Sequence, residues 1–121
     1  MPRIEHAAAW TADIERLRAW YELWLGGRAG ARYENASKGF ASYFVEFDGG
    51  ARLELMQMPG QKLGLRAHLA FSLGSEAAVD ALVEEMRAAG VPVLDGPRTT
   101  GDGYYEAVVA DPDGNKVELT T

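Results

Sequence analysis

The chain contains two histidines, His6 and His68, and each lies in a short apolar stretch. The first reads Arg3-Ile4-Glu5-His6-Ala7-Ala8-Ala9-Trp10, and the second reads Leu65-Arg66-Ala67-His68-Leu69-Ala70-Phe71-Ser72-Leu73. Two glutamates recur in the same way: Glu54 between Leu53 and Leu55, and Glu118 between Val117 and Leu119. The interval from His6 to His68 is almost that from Glu54 to Glu118. A lone histidine, or a glutamate flanked by aliphatic residues, has an ordinary structural explanation. Recurrence of both at equivalent positions favours a shared task. Neutral imidazole nitrogen and carboxylate oxygen are borderline and hard donors, which together suit a first-row divalent ion, and Zn, Ni, Co, Mn and Fe all satisfy that donor type. Without a metal, two facing carboxylates would repel and one would keep its proton. Four protein ligands would close a tetrahedral site, so catalysis would require octahedral coordination with two open positions, or a carboxylate that lets go.

Strand side chains alternate between faces. Leu69, Phe71 and Leu73 therefore point one way, and His68, Ala70 and Ser72 the other; His6 likewise shares a face with Ala8. On the strands Ala51 to Met58 and Lys116 to Thr120 each glutamate lies opposite its aliphatic neighbours. If those aliphatics meet helices, both histidines and both glutamates face the other side of the sheet.

The elements that must position them occur twice. After the first strand, Thr11 or Asp13 caps a helix with Ile14, Leu17, Tyr21, Trp24 and Leu25 at helical spacing, ended by Gly26 and Gly27. Ala29 to Tyr33 is a weak strand, Asn35 to Gly39 a loop, and Phe40 to Phe47 a strand joined by Asp48-Gly49-Gly50 to its partner Ala51 to Met58. Pro59 to Gly64 forms a joint. The second copy has a strand, a helix capped by Ser75 with Val79, Leu82, Val83 and Met86 on one face, and Gly90 at its end. Pro92 to Leu94 follows as a short strand, Gly96 to Gly103 as a loop, Tyr104 to Ala110 as a strand, and Asp111 to Asn115 as a turn before the last strand. An internal repeat of this kind decides the architecture. The expected fold is α+β: two βαβββ modules, about 1–60 and 64–121, related by a pseudo-twofold and forming a curved half-barrel sheet with helices outside.

With 121 residues and 47% hydrophobic content, the chain is long enough for one domain with a real core and too short for two ordinary ones. A net charge of −6 without any basic stripe argues against nucleic acid as a partner. The absence of cysteine removes disulfides and thiol nucleophiles. No apolar run approaches the ~20 residues that span a bilayer, so the protein is expected to be soluble and cytoplasmic, without a membrane partner.

Four stretches resemble the vicinal oxygen chelate superfamily, which includes glyoxalase I, bleomycin- and fosfomycin-resistance proteins and extradiol dioxygenases. They are Ile4 to Trp10, Ala51 to Met56, Arg66 to Ser72 and, most specifically, Asp111-Pro112-Asp113-Gly114-Asn115-Lys116-Val117-Glu118-Leu119. The resemblance covers nearly the whole chain. It implies that His6, Glu54, His68 and Glu118 occupy the four metal positions of glyoxalase I. It also implies chelation of vicinal substrate oxygens, with the metal stabilising an enediolate as charge develops. In a glyoxalase-like reaction Glu118 is the favoured proton-transfer base and Glu54 the second candidate.

Two positions depart from glyoxalase I. The arginine that helps hold glutathione, four residues after the first histidine, is here Trp10, and the asparagine four residues after the second ligand is here Met58. Both changes remove polar grip and add apolar surface, which suits an aromatic or apolar oxygenated small molecule; Trp10 as core packing is the other reading. Ala8, Trp10, Met56, Met58 and Ser72 share ligand parity and form the candidate pocket wall. On the strand from Phe40, either Ser42 and Phe44 or Tyr43 and Val45 face inward. Arg98 to Asp102 lie in the expected loop, where Arg98 can meet an anionic substrate or simply be solvated.

The leading expectation is therefore a metal-dependent lyase or isomerase of glyoxalase type. A ring-cleaving extradiol-type dioxygenase is the alternative enzyme, and a drug-sequestering protein of bleomycin-resistance type the non-enzymatic one. In the resembling family the site is often shared across a dimer, and a homodimer is expected.

Overall fold

The computed structural model describes residues 4–64, 68–101 and 103–121. The chain forms two compact units, residues 1–65 and 66–121, dividing at the end of the expected joint. Arg3, Leu65, Arg66, Ala67 and Asp102 lie outside the described residues, and with them parts of two motif stretches and the far end of the Arg98 segment.

The first unit contains β1 (His6–Trp10), α1 (Ile14–Leu25), β2 (Arg28–Ala29), β3 (Tyr33–Asn35), β4 (Phe40–Glu46) and β5 (Arg52–Gln57). Its mixed sheet runs β1-β5-β4-β2, with β3 also on β4. β1 lies parallel to β5, and β4 antiparallel to it. Asp13, not Thr11, caps the helix: its Oδ1 accepts the Arg16 N–H at 3.0 Å, while Thr11 Oγ1 accepts the Asp13 N–H at 3.1 Å. At the other end Gly26 takes the left-handed conformation, with φ of 67°, that residues other than glycine seldom adopt. Ile14, Leu17 and Tyr21 of α1 are buried, as are Ala9, Ala41, Val45, Leu53 and Leu55 of the sheet. The core thus fills one face of the sheet, and the alternation of β5 leaves Glu54 on the other.

The second unit contains β6 (Leu69–Ser72), α2 (Glu76–Ala88), β7 (Val93–Thr99), β8 (Tyr105–Ala110) and β9 (Lys116–Thr120), in the sheet order β6-β9-β8-β7. Its first strand again lies parallel to its last, and the last antiparallel to the one before. Ser75 Oγ caps α2 through the Ala78 N–H at 3.1 Å. Val79, Val83 and Met86 are buried, together with Ala107, Val109, Val117 and Leu119. The fold is α+β, built from two βαβββ-like modules, each a helix on one face of a mixed sheet.

Several expected boundaries are corrected. The strand expected from Arg3 begins at His6, and β6 begins at Leu69, one residue after His68. The weak strand at Ala29 to Tyr33 is two short strands, and the second takes in Asn35, which was expected to be loop. The expected break after Leu94 is not a break, because β7 continues through Gly96 and a cis Gly96–Pro97 bond to Thr99. The ladder with β8 shifts register between Val93 and Asp95 and again between Asp95 and Arg98. Such irregularity accommodates a proline that cannot donate to the ladder. Only glycine fits beside it: Gly96 has φ of 74°, and an added Cβ would lie 2.5 Å from the Glu106 carbonyl oxygen. Arg98 is accordingly a strand residue, opposite Glu106.

Candidate metal centre

Register on the first sheet places His6 opposite Arg52, Ala8 opposite Glu54 and Trp10 opposite Met56. On the far side of β5, Phe44 is opposite Glu54 and Ser42 opposite Met56. Paired residues share a face, so Ser42 and Phe44 join His6 and Glu54, and the choice left open on β4 is decided. Tyr43 and Val45 turn toward the helix: Val45 is buried, and the Tyr43 hydroxyl donates to Glu15 of α1 at 2.8 Å.

His6 Nε2 lies 3.6 Å from Glu54 Oε1. That is too long for a hydrogen bond. It is about the separation of two donors that share one ion through bonds of roughly 2.0–2.2 Å. Phe44 meets the His6 ring edge-on, with centroids 5.2 Å apart. The Glu5 carboxylate Oε2 lies 2.8 Å from His6 Nδ1 and its Oε1 pairs with Arg52. Arg52 first and His6 second hold the Glu5 carboxyl below the usual carboxylate range. Further along the same face, the Trp10 and Phe40 rings meet at 6.0 Å, and so do Tyr33 and Phe40.

In the second unit His68 Nε2 and Glu118 Oε2 are in direct contact. They line a cleft of about 390 Å³ with Leu94, Asp95, Glu106, Val108 and Lys116. Both glutamates have side chains only about one-sixth exposed, at 17% and 18%, against 41% and 56% for their histidines. In each unit the carboxylate lies deeper in the sheet face and the imidazole stands at its edge.

The turn before Glu118 is built by its first residue. Buried Asp111 accepts the Asp113 and Asn115 backbone N–H groups at 2.9 Å each through Oδ1, and the Asn115 side-chain amide at 2.7 Å through Oδ2. This fastens the start of β9 and so the register that places Glu118 opposite Val108. The motif therefore positions the carboxylate rather than contributing donors to it.

The remaining expected residues are distributed unevenly. Ala8, Trp10 and Met56 lie on the His6 face, and Ser72 lies opposite Thr120 next to the Ala70–Glu118 pair. Met58 follows the end of β5 and lines a groove of about 310 Å³ with Thr11, Gln57, Pro59 and Leu63. Arg98 does not line the His68 cleft; its guanidinium is bonded at 3.1 Å to Asp95, which does. Arg52 and Lys116 were missed, although each stands two residues before its glutamate and the strand period would have found both. For Glu5 that period pointed away from His6, because a strand was expected from Arg3 whereas β1 begins at His6.

Among the described residues no group of three or more histidine, aspartate or glutamate side chains gathers closely enough to hold an ion; His6 lies between Glu5 and Glu54 in the first unit, and His68 meets Glu118 in the second. The donor types and the spacing at His6 and Glu54 fit a divalent metal. No described helix is long and apolar enough to cross a membrane.

Comparison with known proteins agrees with this organisation. The family model described as Glyoxalase/Bleomycin resistance protein/Dioxygenase superfamily matches residues 3–119. The trypanothione-dependent glyoxalase I of Leishmania major superposes with a TM-score of 0.79 at 24% identity, covering 100% of this chain and 87% of that one. A possible glyoxalase from Bacillus cereus gives 0.77 at 24% identity, covering 98% and 97%. Glyoxalase I from Zea mays gives 0.79 at 22% identity, and there this chain covers only 44% of the other. No curated protein matches the sequence. With the family model spanning both modules and both histidine–glutamate pairs, the chain belongs to the glyoxalase/bleomycin resistance protein/dioxygenase superfamily.

Proposed function

We propose that the protein is a metal-dependent lyase or isomerase of glyoxalase type, acting on a small oxygenated substrate with an apolar or aromatic substituent. The observation that carries this reading is the repeated pair: His6 beside Glu54 on one sheet face, and His68 against Glu118 on the other. His6, Glu54, His68 and Glu118 together would hold the ion, from modules of one chain or of two chains in a homodimer. A bound divalent metal would act as a Lewis acid toward vicinal substrate oxygens. Glu118 then moves the substrate proton, with Glu54 as the second candidate. The Trp10, Phe40 and Phe44 rings on the His6 face would favour an apolar or aromatic substituent on the substrate.

The test is metal content by mass spectrometry for the native protein and His68→Ala, with sedimentation of the loaded protein. The reading expects a stoichiometric divalent ion, lost in the variant, and a dimer. It also expects isomerisation of 2-oxoaldehyde-derived substrates without oxygen consumption. Unchanged metal content in His68→Ala would sink the metal site, and oxygen uptake with catechols would favour the dioxygenase.

A further inference from the structure

Glu5 stands one residue before β1, yet its carboxylate turns back onto the neighbouring imidazole, with Oε2 2.8 Å from His6 Nδ1. Its other oxygen is engaged by the Arg52 guanidinium, and the Arg52 backbone N–H donates to the Glu5 carbonyl at 2.9 Å. The two residues are therefore tied together through side chain and main chain. The Arg52 guanidinium also lies over the Phe44 ring, 4.1 Å from its centroid, and Phe44 meets the edge of His6. Arg52, Glu5, His6 and Phe44 thus form a closed circuit of contacts around one imidazole.

An ionised carboxylate can only accept a hydrogen bond, so the hydrogen in the Glu5–His6 contact belongs to Nδ1. In the neutral ring the lone pair is then on Nε2, the nitrogen that faces Glu54. We infer that Glu5, held in place by Arg52, is a positioning residue that locks His6 in its Nδ1–H tautomer and presents the Nε2 lone pair toward Glu54. The inference rests on the metal-site reading for its purpose, since a ligating imidazole is oriented by the partner of its other nitrogen. His68 has no corresponding carboxylate on Nδ1 among the described residues. Among the described residues, the carboxylate contact at Nδ1 is thus a feature of the His6 side.

The test uses the ¹⁵N-labelled, metal-free protein at a pH where both imidazoles are neutral. Long-range ¹H–¹⁵N correlation spectra distinguish the two tautomers, and His68→Asn assigns the two rings. In the native protein His6 should be the Nδ1–H form. Glu5→Ala should release it to a mixture richer in Nε2–H, and Glu5→Gln, whose amide oxygen still accepts, should retain most of the native form. Zinc affinity, measured by competition with a chromogenic chelator, should fall about 10- to 100-fold in Glu5→Ala and less in Glu5→Gln. The thermal midpoint of these half-exposed variants should stay close to native. A native His6 protonated at Nε2, or the same tautomer mixture in native protein and Glu5→Ala, would overturn the inference. A locked tautomer in a native protein that takes up no metal would leave the role of Glu5 standing and remove the proposed function instead.

Discussion

Gln57 reaches from the end of β5 to accept the backbone N–H of Ile14 at 2.7 Å, so the strand that carries Glu54 also caps the first turn of α1. Asp13 satisfies the Arg16 N–H of the same turn from the helix's own N-cap, while Gln57 fastens helix to sheet. Replacing Gln57 by Leu leaves a part-buried donor without its partner and should cost about 1–3 kcal/mol. Denaturant unfolding should show a lower midpoint with an unchanged slope, and an unchanged midpoint would contradict the cap.

For the proposed chemistry, Glu118→Gln keeps the shape and a donor oxygen but not the base. Removal of a positioned base should lower kcat by about 10²–10⁴, with KM far less affected. Glu54→Gln is the matched control. If Glu54→Gln loses the larger share of kcat while metal content is preserved in both, the assignment of the base is reversed.

Asp111 takes three hydrogen bonds inside the turn before β9. Asp111→Ala removes these three hydrogen bonds from a largely buried turn, at about 1–3 kcal/mol for such a loss, so the midpoint of unfolding should fall clearly. Glu118 should also lose its fixed register, and weaker metal uptake in a still folded Asp111→Ala would show the turn acting on the site.

Tyr105 donates its hydroxyl to Asp80 of α2, and that contact, with the nearby negative charge, pushes its pKa from 10.0 up to about 12. The protonated phenol is favoured in the fold. Its contribution to stability is therefore fully present below about pH 10 and is lost as pH rises through about 12. Ultraviolet titration of the native protein should include the late ionisation of Tyr105. Asp80→Asn should bring it back toward the ordinary value and flatten the alkaline end of the stability profile.

Much of this arrangement was already written in the alternation and repetition of residues. The period of two on β5 and β9 placed Glu54 and Glu118 opposite their aliphatic neighbours, and the burial of Leu53, Leu55, Val117 and Leu119 agrees. The helical spacing of Ile14, Leu17 and Tyr21, and of Val79, Val83 and Met86, identified both packed faces. These features are local: chain geometry alone sets which side chains share a side.

Tertiary structure decided the rest, because it depends on what covers each side. Alternation on β4 could not choose between Tyr43 with Val45 and Ser42 with Phe44; the packing of α1 on Val45 chose, and sent Phe44 to His6. Gly96 and Pro97 read locally as the end of a strand, yet pairing with β8 carries β7 through them with shifted register. Strand parity read from Arg3 onward puts Glu5 on the side opposite His6; β1 begins only at His6, and the place of Glu5 on His6 follows from a long-range tie to Arg52, made when β1 docks beside β5. Residue types and spacing determined which donors exist and on which face of each sheet, while the pairing of distant strands determined which of them touch.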